Sequence, residues 1–191
     1  MNLALPHRMT VDEFLAWSVT QPREAGRFEL LDGAVIKQQS QQFGHAKAKQ
    51  NVYLAMRNAI VRAGLPYFAA PEGPTVRIGP QTAFEPDALV APLPEPDDTA
   101  LEINNPVIVV EVLSPSTARR DATTKLKRYF EIASIQHYLI FDWEDRTVTH
   151  HKRARAGVVE TRVIADGDIT LDPPGLTIAI ADVFGAPKPA A

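Results

Sequence analysis

Apolar and polar positions along the chain divide it into a short helix, a hairpin, a long helix, a run of strands, a second helix and further strands. Thr10 followed by Glu13 is a capping box, and Phe14 and Leu15 behind it supply the apolar contacts of the first helix. The apolar runs 28–31 and 34–36 flank Asp32-Gly33, and a glycine free to take positive φ between two such runs predicts a hairpin. Residues 44–63 carry Ala46, Val52, Tyr53, Met56, Ile60 and Val61 at roughly helical spacing, and Gly64-Leu65-Pro66 stops that helix. Strands are expected over 67–70, 75–78 and 84–91, followed by an exposed, Pro-rich acidic loop over 92–98. The run 106–113 is the most apolar in the chain. Its β-branched residues fall on both faces, the pattern of a strand covered on both sides. A second helix over 122–133 presents Leu126, Tyr129, Phe130 and Ala133 as one stripe. Strands follow over 137–142, 146–153, 158–164 and 176–180. This order predicts a mixed α/β fold, a central mixed sheet flanked by helices with additional C-terminal strands.

Composition narrows the function more than the fold. The 191 residues suit a single domain over 1–185 with a frayed tail over 186–191. A net charge of −3 excludes a polybasic mode of nucleic-acid binding but leaves room for a local basic cleft. With no cysteine, disulfides, thiolate zinc sites and cysteine nucleophiles are excluded together. No apolar stretch reaches the ~18 residues of a membrane span, and the start lacks the pattern of a secretory signal, so a cytoplasmic protein without membrane contact is expected. The chain holds no solenoid-type repeat, no G-x-S-x-G, no G-x-G-x-x-G and no P-loop. Ser114 and Ser116 therefore read as turn-capping serines at a strand end.

Glu111 contradicts its surroundings, the run Val107-Ile108-Val109-Val110-Glu111-Val112-Leu113. An unpaired carboxylate buried there costs several kcal/mol, so Glu111 requires a cationic partner, a metal ion or a wet cleft. A structural ion pair with a nearby lysine or arginine satisfies the same demand. Asp87 follows Pro86, which cannot join a strand ladder and so puts Asp87 near the mouth of the sheet; a turn-capping role is its plainer reading. Lys125, four residues before Tyr129, flanks the apolar stripe of the second helix. Two acids that converge repel unless a hard divalent cation lies between them. Mg²⁺ takes one or two carboxylates, waters and phosphate oxygens, and a nearby ammonium stabilises charge on the reacting phosphate. The pattern suits phosphodiester hydrolysis.

The residues Phe28-Glu29-Leu30-Leu31-Asp32-Gly33, Pro86-Asp87, the run from Val109 through Ser114-Pro115-Ser116-Thr117, then Asp121, Lys125, Tyr129 and Tyr138-Leu139-Ile140-Phe141-Asp142 resemble the Uma-two family, bacterial restriction endonucleases of the PD-(D/E)XK nuclease superfamily. The resemblance spans about 9–163. It implies a restriction-endonuclease-like fold, Asp87 and Glu111 as ligands of Mg²⁺ or Mn²⁺, and metal-dependent DNA cleavage. It also implies that Glu29 lies near the site as an additional acid. The superfamily pattern has lysine two residues after the second acid. Leu113 stands there, and the resemblance implies that Lys125 has taken over from the helix. His45 opens the long helix as a candidate for phosphate contact or proton transfer, against a plain capping role. Arg119 and Arg120 border the expected site as candidate DNA contacts, and His150-His151-Lys152-Arg153 with Arg155 form a basic strand that would line a DNA cleft. Homodimers are expected by analogy, since two strands require two sites. The rival reading is a catalytically inactive nuclease-like module that binds nucleic acid or a protein partner.

Overall fold

The most apolar run becomes the middle of the sheet. The structure is a computed structural model, and it describes residues 8–38, 41–113, 120–155 and 157–185. In chain order its main elements are α1 (Val11–Ser18), β1 (Phe28–Leu31), β2 (Ala34–Lys37), α2 (Phe43–Ala63), β3 (Tyr67–Pro71), β4 (Val76–Gly79), β5 (Thr82–Phe84), β6 (Ala88–Pro92), β7 (Ile108–Leu113), α3 (Arg120–Tyr129), β8 (His137–Asp142), β9 (Thr147–Arg153), β10 (Val159–Ile164), β11 (Asp168–Leu171), β12 (Leu176–Ala179) and α4 (Ile180–Phe184). Six strands form a mixed sheet in the order β10-β9-β8-β7-β6-β3, four form a second sheet in the order β2-β1-β5-β4, and β11 pairs with β12. β7 and β8 run parallel, joined through α3 as such a pair requires, while their outer neighbours are antiparallel. Val110 and Val112 of β7 pack into a core with Val52 and Met56 of α2, Leu139 and Phe141. Val109 packs on the opposite face with Phe84, Tyr129, Tyr138 and Ile140. The expected mixed α/β architecture, with strands added after the central sheet, is the one observed. None of the described helices is long and apolar enough to cross a membrane.

Local signals act where they are strongest. Thr10 Oγ1 accepts from the Glu13 N–H at 3.3 Å while Glu13 Oε2 accepts from the Thr10 N–H at 2.8 Å, closing the capping box. Asp32 (φ 49°) and Gly33 (φ 79°) turn the hairpin with both central residues left-handed, the geometry that matches strand twist.

Three expectations need correction, and two short elements were not foreseen. The buried stripe of α2 is His45, Ala48, Lys49, Val52, Ala55, Met56, Ala59 and Ile60, whereas Ala46 is exposed and Val61 is 70% exposed. Apolarity alone misplaced the stripe, because two of its members are polar residues with buried partners. The expected strand over 84–91 splits at Glu85-Pro86-Asp87, so that β5 joins the small sheet and β6 the large one. Pro86 has no N–H to continue a ladder. α3 ends at Tyr129 and Ala133 is exposed, so the second helix is shorter than its stripe implies. β11 and α4, four and five residues long, carry too few positions to show a period. The tail 186–191 lies outside the described residues.

A histidine pair locks β8 to β9. His137 Nε2 donates to the Pro173 carbonyl at 2.8 Å; a carbonyl only accepts, so His137 Nδ1 is bare and accepts from His150 Nε2 at 2.9 Å. Both rings are neutral, and burial holds each down to about 4. An unfolded histidine titrates near 6.5. The unfolded chain therefore gains protons first as pH falls, and the stability present above about 6.5 drains away toward 4. Between neutral pH and about pH 5 the wild type is expected to lose about 2 kcal/mol more in urea denaturation than His150→Gln. Equal pH slopes in the two proteins would refute the neutral-pair assignment.

Candidate active site

The site forms where β7 outruns β6. The last β6–β7 pair is Ala88 with Val110, and the Asp87 N–H donates to the Val110 carbonyl at 2.9 Å. Asp87 lies just past that last pair, close enough to Glu111 for its charge to push the Glu111 carboxyl up. Beyond that point Pro86 offers β7 no N–H, and side chains take over. The Val112 N–H donates to Asp87 Oδ2 at 2.7 Å, and His45 Nε2 donates to the Val112 carbonyl at 2.6 Å.

Glu111 Oε1 accepts from Lys125 Nζ at 2.9 Å and from the Tyr129 hydroxyl at 2.7 Å. Lys125 and Tyr129 are one turn apart on α3, so a single helix face delivers both donors. Lys125 Nζ donates also to Glu29 Oε1 at 2.8 Å and lies 5.3 Å from the Phe84 ring centre. Glu29 Oε1 accepts from the Glu85 N–H at 3.0 Å, which ties β1 to the turn before Asp87. On the other side, Lys49 of α2 reaches Asp87 Oδ1 at 2.5 Å and Glu72 Oε2 at 2.6 Å. Arg27 bridges Glu72 and Glu85.

Electrostatics follow from burial. Burial is the largest influence on Glu111 and, with Asp87 and Glu29 nearby, raises its pKa to about 7 against the pull of Lys125. Glu85 rises to about 7, again chiefly from burial. Lys125 goes the opposite way from its desolvation, held well above its ordinary value by Glu111 and Glu29. Burial together with the charges of Glu111 and Glu29 raises the Tyr129 hydroxyl, which stays protonated as a donor. Among the described residues, the connected network comprises the carboxylates of Glu29, Glu72, Glu85, Asp87 and Glu111 against the cations of Arg27, Lys49 and Lys125. It has two more acids than bases.

The oxygen donors present suit a hard ion. Among the described residues no three His, Cys, Asp or Glu side chains stand close enough to hold a metal by themselves. Asp87 and Glu111 offer the one or two carboxylates that Mg²⁺ or Mn²⁺ would take from a protein, the rest of its shell being water and phosphate.

The structure thus gathers Asp87, Glu111, Lys125, Glu29 and His45 at one end of β7. It does not bring the basic strand with them. Arg153 donates to the carbonyls of Phe130, Ile132 and Ile135 and stacks on the Phe130 ring, closing the turn after α3. Lys152 pairs with His137 at the start of β8, whereas Glu111 pairs with Ile140 further along it. Arg153 thus ties down the turn after α3, and Lys152 lies away from the end of β7 where the acids gather. Three of the five N–H groups of Arg153 are taken by those carbonyls, and register puts Lys152 away from Glu111 along the strands. Arg119, the side chain of Arg120 and the run 114–117 lie outside the described residues. Lys49 went unnoticed in the sequence, although a lysine one turn after His45 on a helix with an apolar stripe was the available signal. Arg27, Glu72 and Glu85 left none, since each is an ordinary surface residue until the chain folds.

The model of a family described as Uma2, "Putative restriction endonuclease", matches residues 11–182. The chain belongs to the Uma2 family. Every residue of the Uma2 site just described falls inside the matched segment. The fold is shared with a solved structure titled "putative nuclease belonging to DUF820" from Anabaena variabilis, at a TM-score of 0.72 and 19% identity, covering 92% of this chain and 97% of the other. No curated protein matches.

Proposed function

We propose that this Uma2 protein is a divalent-metal-dependent endonuclease acting on DNA. One observation carries the reading: at the end of β7 a charge cluster with an excess of two carboxylates, its Glu29, Lys49 and Asp87 buried, in which the Asp87 charge lies close enough to push the Glu111 carboxyl up. A group of charge +2 neutralises that excess, and Mg²⁺ or Mn²⁺ matches it in charge and in oxygen preference. When bound, such an ion polarises a phosphate and supplies a water of lowered pKa. Asp87 and Glu111 are the residues that would hold it. Val112 N–H fixes the Asp87 carboxylate, and the Tyr129 hydroxyl fixes that of Glu111. Lys125, anchored between Glu29 and Glu111, supplies positive charge for the oxygen that becomes more negative during attack. Leu113 has no such charge to offer, so the role falls to the helix.

The rival, an inactive nuclease-like module, has one observation in its favour: each of the two acids already has a lysine partner. Titration calorimetry with Mn²⁺ and plasmid nicking separate the two readings. The wild type is expected to bind Mn²⁺ and nick plasmid DNA, and Asp87→Ala to lose both. Wild-type protein without Mn²⁺ heat and without nicking would sink the nuclease reading.

A further inference from the structure

β10 closes one edge of the six-stranded sheet, and five of its six residues are exposed. Val163 is 71% exposed there. An edge strand with free N–H and C=O groups is a template for another strand unless something blocks it.

Register tells which groups are free. The Ala154 N–H donates to the Val158 carbonyl at 2.9 Å, while the Val158 N–H turns back to the Arg155 carbonyl. Arg153 turns its N–H the other way, to Gln136, so Ala154 and Val158 hold the hydrogen-bonded position that opens the β9–β10 ladder. In an antiparallel ladder such pairs recur at every second position. Glu160 opposite Lys152 and Arg162 opposite His150 are the next ones, and they turn their backbone groups toward β9. Val159, Thr161 and Val163 turn theirs outward, to an edge with no strand beside it among the described residues.

The sequence of this edge, Val159-Glu160-Thr161-Arg162-Val163, is complementary to itself when reversed. We propose that β10 pairs antiparallel with β10 of a second copy of this chain, about a two-fold axis through Thr161. The outward groups of Thr161 then meet their own copies, and those of Val159 meet those of Val163. Glu160 falls opposite Arg162 twice, in the closer, non-hydrogen-bonded type of pair where side chains interact most. Both charged side chains are available: they are 54% and 76% exposed, and their contact within the chain is a long 3.9 Å. On the opposite face Val159 covers Val163 of the second copy, while Thr161 is already oriented by His151 Nδ1 at 2.8 Å. The contact is isologous, closes after two copies and continues one large sheet into the next. The other strand with exposed apolar residues at a sheet edge, β2, reads Ala34-Val35-Ile36-Lys37 and sets no opposite charges together on reversal.

Sedimentation equilibrium on the full chain tests this, with circular dichroism to verify that each variant is folded. The wild type is expected to dimerise at micromolar concentration. Arg162→Glu sets glutamate against glutamate at both symmetric positions and should weaken the dimer at least about ten-fold. The reciprocal double variant Glu160→Arg/Arg162→Glu should restore it, because the swap recreates complementarity. Thr161→Pro removes the outward N–H on the axis and should abolish it. A monomeric wild type, a dimer indifferent to Arg162→Glu, or a double variant as weak as the single one would each overturn the proposal.

Discussion

Glu111→Gln is expected to cut metal-dependent plasmid nicking by on the order of 10³-fold while leaving the metal-free fold within about 1 kcal/mol of the wild type. Glutamine keeps the shape of the side chain and an oxygen for the Tyr129 hydroxyl. Lys125 retains Glu29 at 2.8 Å, so its ammonium is not stranded. The acids then outnumber the bases by one instead of two, and the repulsion that an ionised Glu111 exerts on Asp87 and Glu29 is gone. Burial already pushes this carboxyl up to about 7, a sign that its environment resists the charge that glutamine lacks. If the Glu111–Lys125 contact were instead a purely structural ion pair, the same substitution would cost a few kcal/mol with or without Mn²⁺. Nicking rates beside urea denaturation in Mn²⁺ and in chelator distinguish the outcomes. Undiminished nicking would remove Glu111 from the site.

Much of this arrangement was legible before folding, for a specific reason. Glu111 is a charge inside an apolar run, and Asp87 follows a proline that must interrupt a strand. Those are local contradictions visible in a few letters. Lys125 was legible because its helix has a sharply amphipathic stripe ending at Tyr129. Lys49 was not, because α2 mixes alanine, polar and apolar residues around its circumference. Its face can be located only once the sheet is present, and the periodicity of apolar residues alone misplaced it. The Arg27–Glu72–Lys49 chain joins α2 to two loop residues distant from it and from each other in sequence. No pattern within one element encodes such a closure. Arg153 shows the converse: a run of basic letters on β9 reads as a binding surface, and nothing in it foretells the three carbonyls of the turn after α3 that take up part of its guanidinium.

Lys125→Met should separate the two duties of that ammonium. The substitution keeps an apolar stem against Phe84 but leaves Glu29 and Glu111 without their shared cation, and the acids of the network then outnumber its bases by three. Removing one partner of a buried pair typically costs about 3 kcal/mol or more, because the other charge stays buried. Metal-free Lys125→Met is therefore expected to be about 3 kcal/mol less stable than the wild type in urea. Saturating Mn²⁺ should stabilise it by more than it stabilises the wild type, since the ion now restores charge that no lysine provides and binding energy adds to folding. Nicking should stay low all the same, because the fixed charge beside the phosphate is gone. Combining it with Glu111→Gln should cost less than the two single changes added together, as contacting residues couple. An additive double variant, or Mn²⁺ stabilisation no larger than in the wild type, would mean that lysine and metal do not answer to the same carboxylates.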